Sequence, residues 1–399
     1  MTLLLKRVVT LAKDAIKWHD GYDQFATPSG AGSGFSCREK NKTRTLHLKS
    51  SNRLSANTLF ARLQLRRARF CAFVFLFCWA TSASAASIVN VGYVPILSQS
   101  QLFVMDREGW AKQVGIELKT TSFSEGPEIV SALRTGKVDV AYFGIGPALV
   151  ARSSGIDIRV VASNIVEHVA FLARGELARY MLADPKAGIE RFTAKKGRKP
   201  RIATFSKGSV PDTVLRYWLL KVAQLPADSL DIVPMGADRV QEELMGGTVD
   251  GASILEPIIT LMLAKDKTAK VVLDGRDMMP NQPGAVLAVG SEFIRKNPAV
   301  VQQLVTLHNR ATEFLVLNPD AATRDIHGSI GKQSITLDVI EKAISSPYAK
   351  FTSDPYRIMA STQLMQNFQL EIGVLTKQVE LKDLFDVTFF NKLGNGEHL

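Results

Sequence analysis

Beyond residue 78 the chain has no cysteine; its three, Cys37, Cys71 and Cys78, all lie near the start. That excludes disulfides, a thiol nucleophile and thiolate metal sites from everything downstream, and it suits a protein exported into an oxidising compartment. A surplus of one charge sign is also missing from the body. The formal net charge of +11 resides almost wholly in residues 1–86, where 14 Lys and Arg stand against 4 Asp and Glu, leaving 35 against 34 for the remainder. A body this balanced lacks the concentrated basic face that nucleic acid requires, so no nucleic-acid partner is expected. No His/Cys cluster has metal-ligand spacing, no Ser-His-acid set has a local signature, and no glycine turn carries the phosphate-loop lysine. The sequence therefore predicts no cofactor, no metal and no catalytic residue. His168 and His308 are read as structural or surface residues.

Long apolar runs are scarce. The one at Phe70–Ala80 is too short to span a bilayer. It follows the basic stretch from Arg62 to Arg69 and precedes the small residues Ala83-Ser84-Ala85, which are the three regions of a secretory signal peptide. Residues 59–86 are assigned to that signal, with cleavage near Ala85 or Ala86 and a periplasmic destination. The polar residues 1–58 are expected to be a non-structural leader or the product of an over-long start.

What the chain does contain is a phrase used twice. "EIVSALRTGKVDVAYFGIGPALV" from Glu128 is answered by "RVQEELMGGTVDGASILEPIITLM" from Arg239, with Leu133, Gly136, Val138 and Asp139 matched by Leu244, Gly247, Val249 and Asp250. Each reads as an amphipathic helix, a glycine stop, a short Val-Asp strand, a turn and a proline-started helix. Further strands at "IVNVGYV", "IELKTTSF" and "IRVVAS" recur as "PRIATF", "LDIVPM" and "AKVVLD". Strands alternating with helices predict an α/β protein of two similar lobes with largely parallel sheets. Lobe 1 is expected over 87–166 plus 288–399 and lobe 2 over 167–287. The chain would leave lobe 1 near Asn164 and return through Gly284–Gly290. The charged stretch from Gly175 to Pro200 would be a surface excursion, and the helices after Gly290 would cover the back of lobe 1.

Ligands of open α/β sheets bind beyond the carboxyl ends of the strands. The turns there hold hydroxyls and amides and little charge: Ser98, Gln99, Ser100 and Gln101 after the first strand, Gly144 and Gly146 in "FGIGPALV", Ser206, Lys207 and Ser209 in "FSKGSV", and Glu256 in "LEPII". Helix N-termini and uncharged donors suit an anionic group. Any one of these serines could equally be an ordinary N-cap, Lys207 a solvated lysine, and Glu256 either an outward dipole partner or a receptor for a ligand's amine or hydroxyl. Tyr93, Tyr142, Phe143 and Phe205 end strands at the same edge, some as core and one or two as apolar lining.

The pieces "GYVPILSQSQLFVMDREGW", "IVSALRTGKVDVAYFGIGPALVARSSGIDIRVVAS", "ATFSKGSVPDTVLRYWL", "VDGASILEPII" and "FIRKNPAVVQQLV", in this order, resemble the periplasmic substrate-binding proteins of ABC importers for taurine, aliphatic sulfonates and nitrate, a group related to thiamine-pyrimidine-precursor binding proteins. The resemblance implies a type II periplasmic-binding-protein fold, with two crossover strands at a hinge and a ligand cleft between lobes. It also implies a non-enzymatic, monomeric role: capture of a small anionic or zwitterionic solute by lobe closure and delivery to an inner-membrane ABC permease. Carried over by position, the ligand contacts include Ser98, Gln99, Gly144, Gly146, Ser206, Ser209 and Glu256. A sulfonate such as taurine is favoured, with nitrate, carboxylates or a pyrimidine as alternatives. The other alternative is an enzyme on the same scaffold.

Overall fold

The computed structural model describes residues 86–330 and 335–395. The leader and all but the last residue of the signal segment lie outside the described residues. Three strand-to-helix units come first: β1 (Ser87–Tyr93) into α1 (Ser100–Arg107), β2 (Ile116–Ser122) into α2 (Gly126–Arg134), and β3 (Val140–Gly144) into α3 (Ile145–Ser153), with β4 (Ile158–Ser163) closing the series. The short β5 (Ile165–Val166) leads to β6 (Val169–Ala173) and to a helical pair, α4 (Gly175–Ala183) and α5 (Pro185–Lys196). The plan then repeats as β7 (Arg201–Thr204) into α6 (Val210–Tyr217), β8 (Asp231–Pro234) into α7 (Ala237–Gly246), β9 (Gly251–Leu255) into α8 (Ile258–Lys265), and β10 (Lys270–Leu273). β11 (Ala285–Gly290) returns to the first half, followed by α9 (Pro298–Leu317), α10 (Pro319–Ile330), α11 (Leu337–Ile344), β12 (Lys350–Phe351) and α12 (Tyr356–Glu371).

The strands form two five-stranded sheets of one design. The first runs β2-β1-β3-β11-β4, and the second, read from its far edge, β8-β7-β9-β6-β10. In each sheet one strand is antiparallel to its neighbours, and it is the strand that arrives from the other lobe: β11 between β3 and β4, β6 between β9 and β10. These inner strands are buried along almost their whole length, as sheets covered on both faces require. This is the two-lobed α/β fold expected from the sequence.

The doubled phrase does the same work in both halves. Gly136 and Gly247 end α2 and α7 with φ of 67° and 74°, a left-handed conformation that glycine adopts without a Cβ penalty. Asp139 accepts hydrogen bonds from the amide and side chain of Asn90 in β1 (3.1 and 2.8 Å). Asp250 accepts one from the amide of Arg201 in β7 (2.8 Å). Each aspartate thereby ties the third strand of its lobe to the first.

Several expectations need correction. β11 lies wholly in the first sheet, so the chain is back in lobe 1 by Ala285 rather than at 288. The stretch after Gly175 is no loose excursion: α4 and α5 pack on one another, with Leu177, Ala178, Met181, Ile189 and Phe192 buried beneath a charged outer face. The late helices do not all cover lobe 1. α9 packs on α1, but α11 packs on α8 of lobe 2, and α12 touches both α3 and α6. They also bring a strand partner, since β12 pairs antiparallel with β5 of the first crossing. Finally, α3 begins at Ile145, which puts Pro147 at its third position rather than its first.

Candidate functional site

The turn after β1 winds into a short 3-10 helix at Leu97–Gln99 before α1, and Ser98, Gln99, Ser100 and Gln101 are all buried. Asn164, where the chain leaves lobe 1, organises this turn. Its Nδ2 donates to the Ser98 carbonyl (3.1 Å) and to Gln99 Oε1 (2.8 Å), and its own carbonyl accepts from Gln101 Nε2 (2.7 Å). With Oε1 occupied, the Gln99 amide turns its Nε2 away, and that buried donor has no partner among the described residues. Ser100 is spent locally, Oγ donating to the Leu97 carbonyl at 2.5 Å.

At the start of α3 the Ile145 amide donates to the Gly284 carbonyl (2.9 Å) and Pro147 has no N–H, so Gly146 supplies the remaining amide of the first three helical positions. Opposite it, the turn between β7 and α6 is held by Asp212, whose carboxylate accepts from the Gly208 amide (3.1 Å) and from Arg216 Nε (2.8 Å). Burial pushes the Asp212 carboxyl above its ordinary range, against the pull of Arg216 and of that amide. Ser209 caps α6 by accepting from the Asp212 amide (3.3 Å), and the Ser206 Oγ is buried with no partner among the described residues.

These turns enclose a cavity of about 40 Å³, room for the head group of a small solute given that one water needs roughly 10–15 Å³ on the same measure. Lobe 1 contributes Val94, Ile96, Gln99, Glu125, Gly144 and Pro147 to its wall. The other side is His168, Phe205, Ser206, Ser209, Val210 and Leu255, with Ala285 between. Most of the wall is apolar, and among the described residues it includes no lysine or arginine side chain.

Of the residues singled out from sequence, Gln99, Gly144, Ser206 and Ser209 line this cavity. Ser98 and Ser100 support the turn beneath it, and Gly146 meets the Gly208 backbone from across the cleft. Lys207 is exposed and takes no part in the wall. Glu256 is buried, but it turns onto the start of its own helix: Oε2 accepts from the Thr260 amide (3.0 Å) and Oε1 from the Thr260 hydroxyl (2.8 Å). Burial pushes its carboxyl upward, partly offset by those bonds. Among the strand-ending aromatics Tyr142 and Phe143 are core, Tyr93 stacks edge-on against Phe103, and Phe205 lines the cavity. His168, read as structural or surface, is 3 % exposed and lines the site. Its place at the first crossing, just after Asn164, is the sequence signal that could have found it.

Comparison with known proteins agrees with this architecture. The family model described as NMT1-like family matches residues 82–328. A Bacillus subtilis protein named for aliphatic sulfonate binding is 26 % identical over 301 residues, 74 % of this chain and 85 % of that protein. Among solved structures, the periplasmic nitrate-binding protein of Synechocystis superposes with a TM-score of 0.66 at 12 % identity, covering 78 % of this chain and 89 % of that one. The periplasmic aliphatic sulphonate binding protein of Escherichia coli does so with a TM-score of 0.61 at 18 % identity, covering 76 % and 99 %. Both likenesses are of fold. With the family model spanning well over half of its length, the chain belongs to the NMT1-like family.

Proposed function

We propose that this protein is the solute-binding component of an ABC importer, that it works outside the inner membrane, and that its solute is a small organic anion, a sulfonate above all. The observation that carries the reading is that two residues lining one cavity, Gln99 from lobe 1 and Ser206 from lobe 2, each hold a buried donor, Nε2 and Oγ, with no partner among the described residues. A buried donor left unsatisfied costs about 1–3 kcal/mol. An oxyanion between the lobes satisfies both at once, and it does so only when the cleft is shut. The solute thus binds the closed form better than the open one, which is the condition for a permease to read occupancy. The relatives named for sulfonate binding favour a sulfonate over nitrate, a carboxylate or a pyrimidine.

The enzymatic alternative in which a cysteine attacks the solute requires a thiol at the cleft, and every cysteine precedes residue 79. Calorimetry and thermal shift on the purified protein with taurine, ethanesulfonate, nitrate, propanoate and uracil test the proposal. Saturable binding of a sulfonate, with the solute recovered unchanged, is expected; at one hundred times Kd it stabilises the fold by about 2.7 kcal/mol. Turnover of the solute, or indifference to both sulfonates, refutes it.

A further inference from the structure

We infer that His168 is a direct contact for the bound solute, an uncharged imidazole that donates a hydrogen bond to its oxyanion, and that the site consequently selects the anions of strong acids. The inference rests on the solute-binding reading above. The chain holds His168 firmly in place. On one side the Glu167 amide donates to the Gln282 carbonyl (2.9 Å), and on the other the Val169 amide donates to Gln282 Oε1 (2.8 Å). Space for the ring is made by Gly284, where a Cβ would lie 2.7 Å from His168 Nδ1.

His308 provides the contrast within the same molecule. It is equally buried, but its Nε2 lies 2.7 Å from the Ser163 carbonyl and its Nδ1 3.3 Å from the Tyr142 hydroxyl, as a structural histidine requires. The Nδ1 of His168 packs against Gly284 and has no partner among the described residues, and the residue lines the cavity beside Gln99 and Ser206, so the contact to the solute falls to the other ring nitrogen, Nε2. Burial pushes its pKa down to about 3, so the ring is neutral at neutral pH. Among the described residues the one other titratable side chain in the wall is the Glu125 carboxylate. A solute held by neutral donors keeps its charge without a counterion. Desolvation raises the pKa of a carboxylic acid and favours its neutral form, whereas a sulfonate stays ionised.

The test is a titration of ring-¹⁵N-histidine-labelled protein with ethanesulfonate and taurine, with propanoate as the weak-acid isostere. The His168 ring resonances, assigned through His168→Leu, should move on saturation while those of His308 stay. His168→Leu should weaken sulfonate binding at least tenfold and His168→Asn should restore most of it, with propanoate at least tenfold weaker than ethanesulfonate on the wild type. Unmoved His168 resonances at saturation, or wild-type affinity in His168→Leu, overturn the contact, and equal affinity for propanoate overturns the selectivity. If the wild type binds neither sulfonate, the functional reading itself has failed and this inference goes with it.

Discussion

A Cβ on Gly146 would lie 2.4 Å from the carbonyl oxygen of Gly208, so backbone meets backbone across the cleft at these two glycines. One belongs to the first turn of α3 in lobe 1, the other to the turn before α6 in lobe 2, where its φ is +85°. Gln369 of α12 secures the meeting point, its Nε2 donating to the Gly208 carbonyl (3.1 Å) and to Thr213 Oγ1 (2.9 Å).

Gly146→Ala should therefore act on closure. The atom in the way is backbone, braced by Asp212 and Gln369, and overpacking of this kind costs about 1–3 kcal/mol. Solute affinity should fall about tenfold or more, at roughly 1.4 kcal/mol per factor of ten, and small-angle scattering with solute should show a more open particle than the wild type. Unchanged affinity would mean that the two turns do not need this contact.

Acid should weaken the fold through its buried histidines. Burial lowers the His308 pKa to about 4, partly opposed by its bond to the Ser163 carbonyl. The unfolded chain takes up the proton near pH 6.5, the folded chain only near 4. The contribution is thus complete above about pH 6.5 and is lost as pH falls towards 4, at about 1.4 kcal/mol per unit. Thermal unfolding at pH 6.5 and 5.0 should show His308→Gln losing about 1.6 kcal/mol less than the wild type over that interval. Contributions from His168, Glu256 and Asp212 are common to both proteins and cancel. Parallel losses would disprove the assignment.

Glu256 separates a cap from a ligand contact. As an acceptor for Thr260, its replacement by alanine should destabilise the protein by about 0.5–2 kcal/mol while leaving sulfonate affinity unchanged. Glu256→Gln keeps one acceptor and should cost less. A large loss of affinity in Glu256→Gln at wild-type stability would restore the residue to the solute's first contacts.

The two similar lobes and most strand and helix starts were legible because apolar period and glycine stops are local signals, and because the phrase around Asp139 and Asp250 repeats them. The polar turns were legible for the same reason, and Gln99, Gly144, Ser206 and Ser209 all reach the cavity. Which neighbour takes up each polar group was not legible. Glu256 is claimed by Thr260, four residues away, and Ser100 by Leu97. β6 and the β5–β12 pairing depend on partners distant in the chain: Val169–Ala173 lies against Leu255–Gly251, and Phe351 against Ile165. His168 was read as structural or surface, because its place in the cavity wall comes from how the crossing is folded and not from its sequence neighbours.

The interior position of β11 has a bearing on how the molecule is born. β3 and β4 are neighbours of one strand whose residues, Ala285–Gly290, emerge from the ribosome only after the whole of lobe 2. Until then the first sheet has an empty slot between two otherwise finished edges, and edges of that kind invite pairing with foreign strands. The half made first is thus the half completed last, and the nascent chain must be kept from premature partners for as long as that gap stands open.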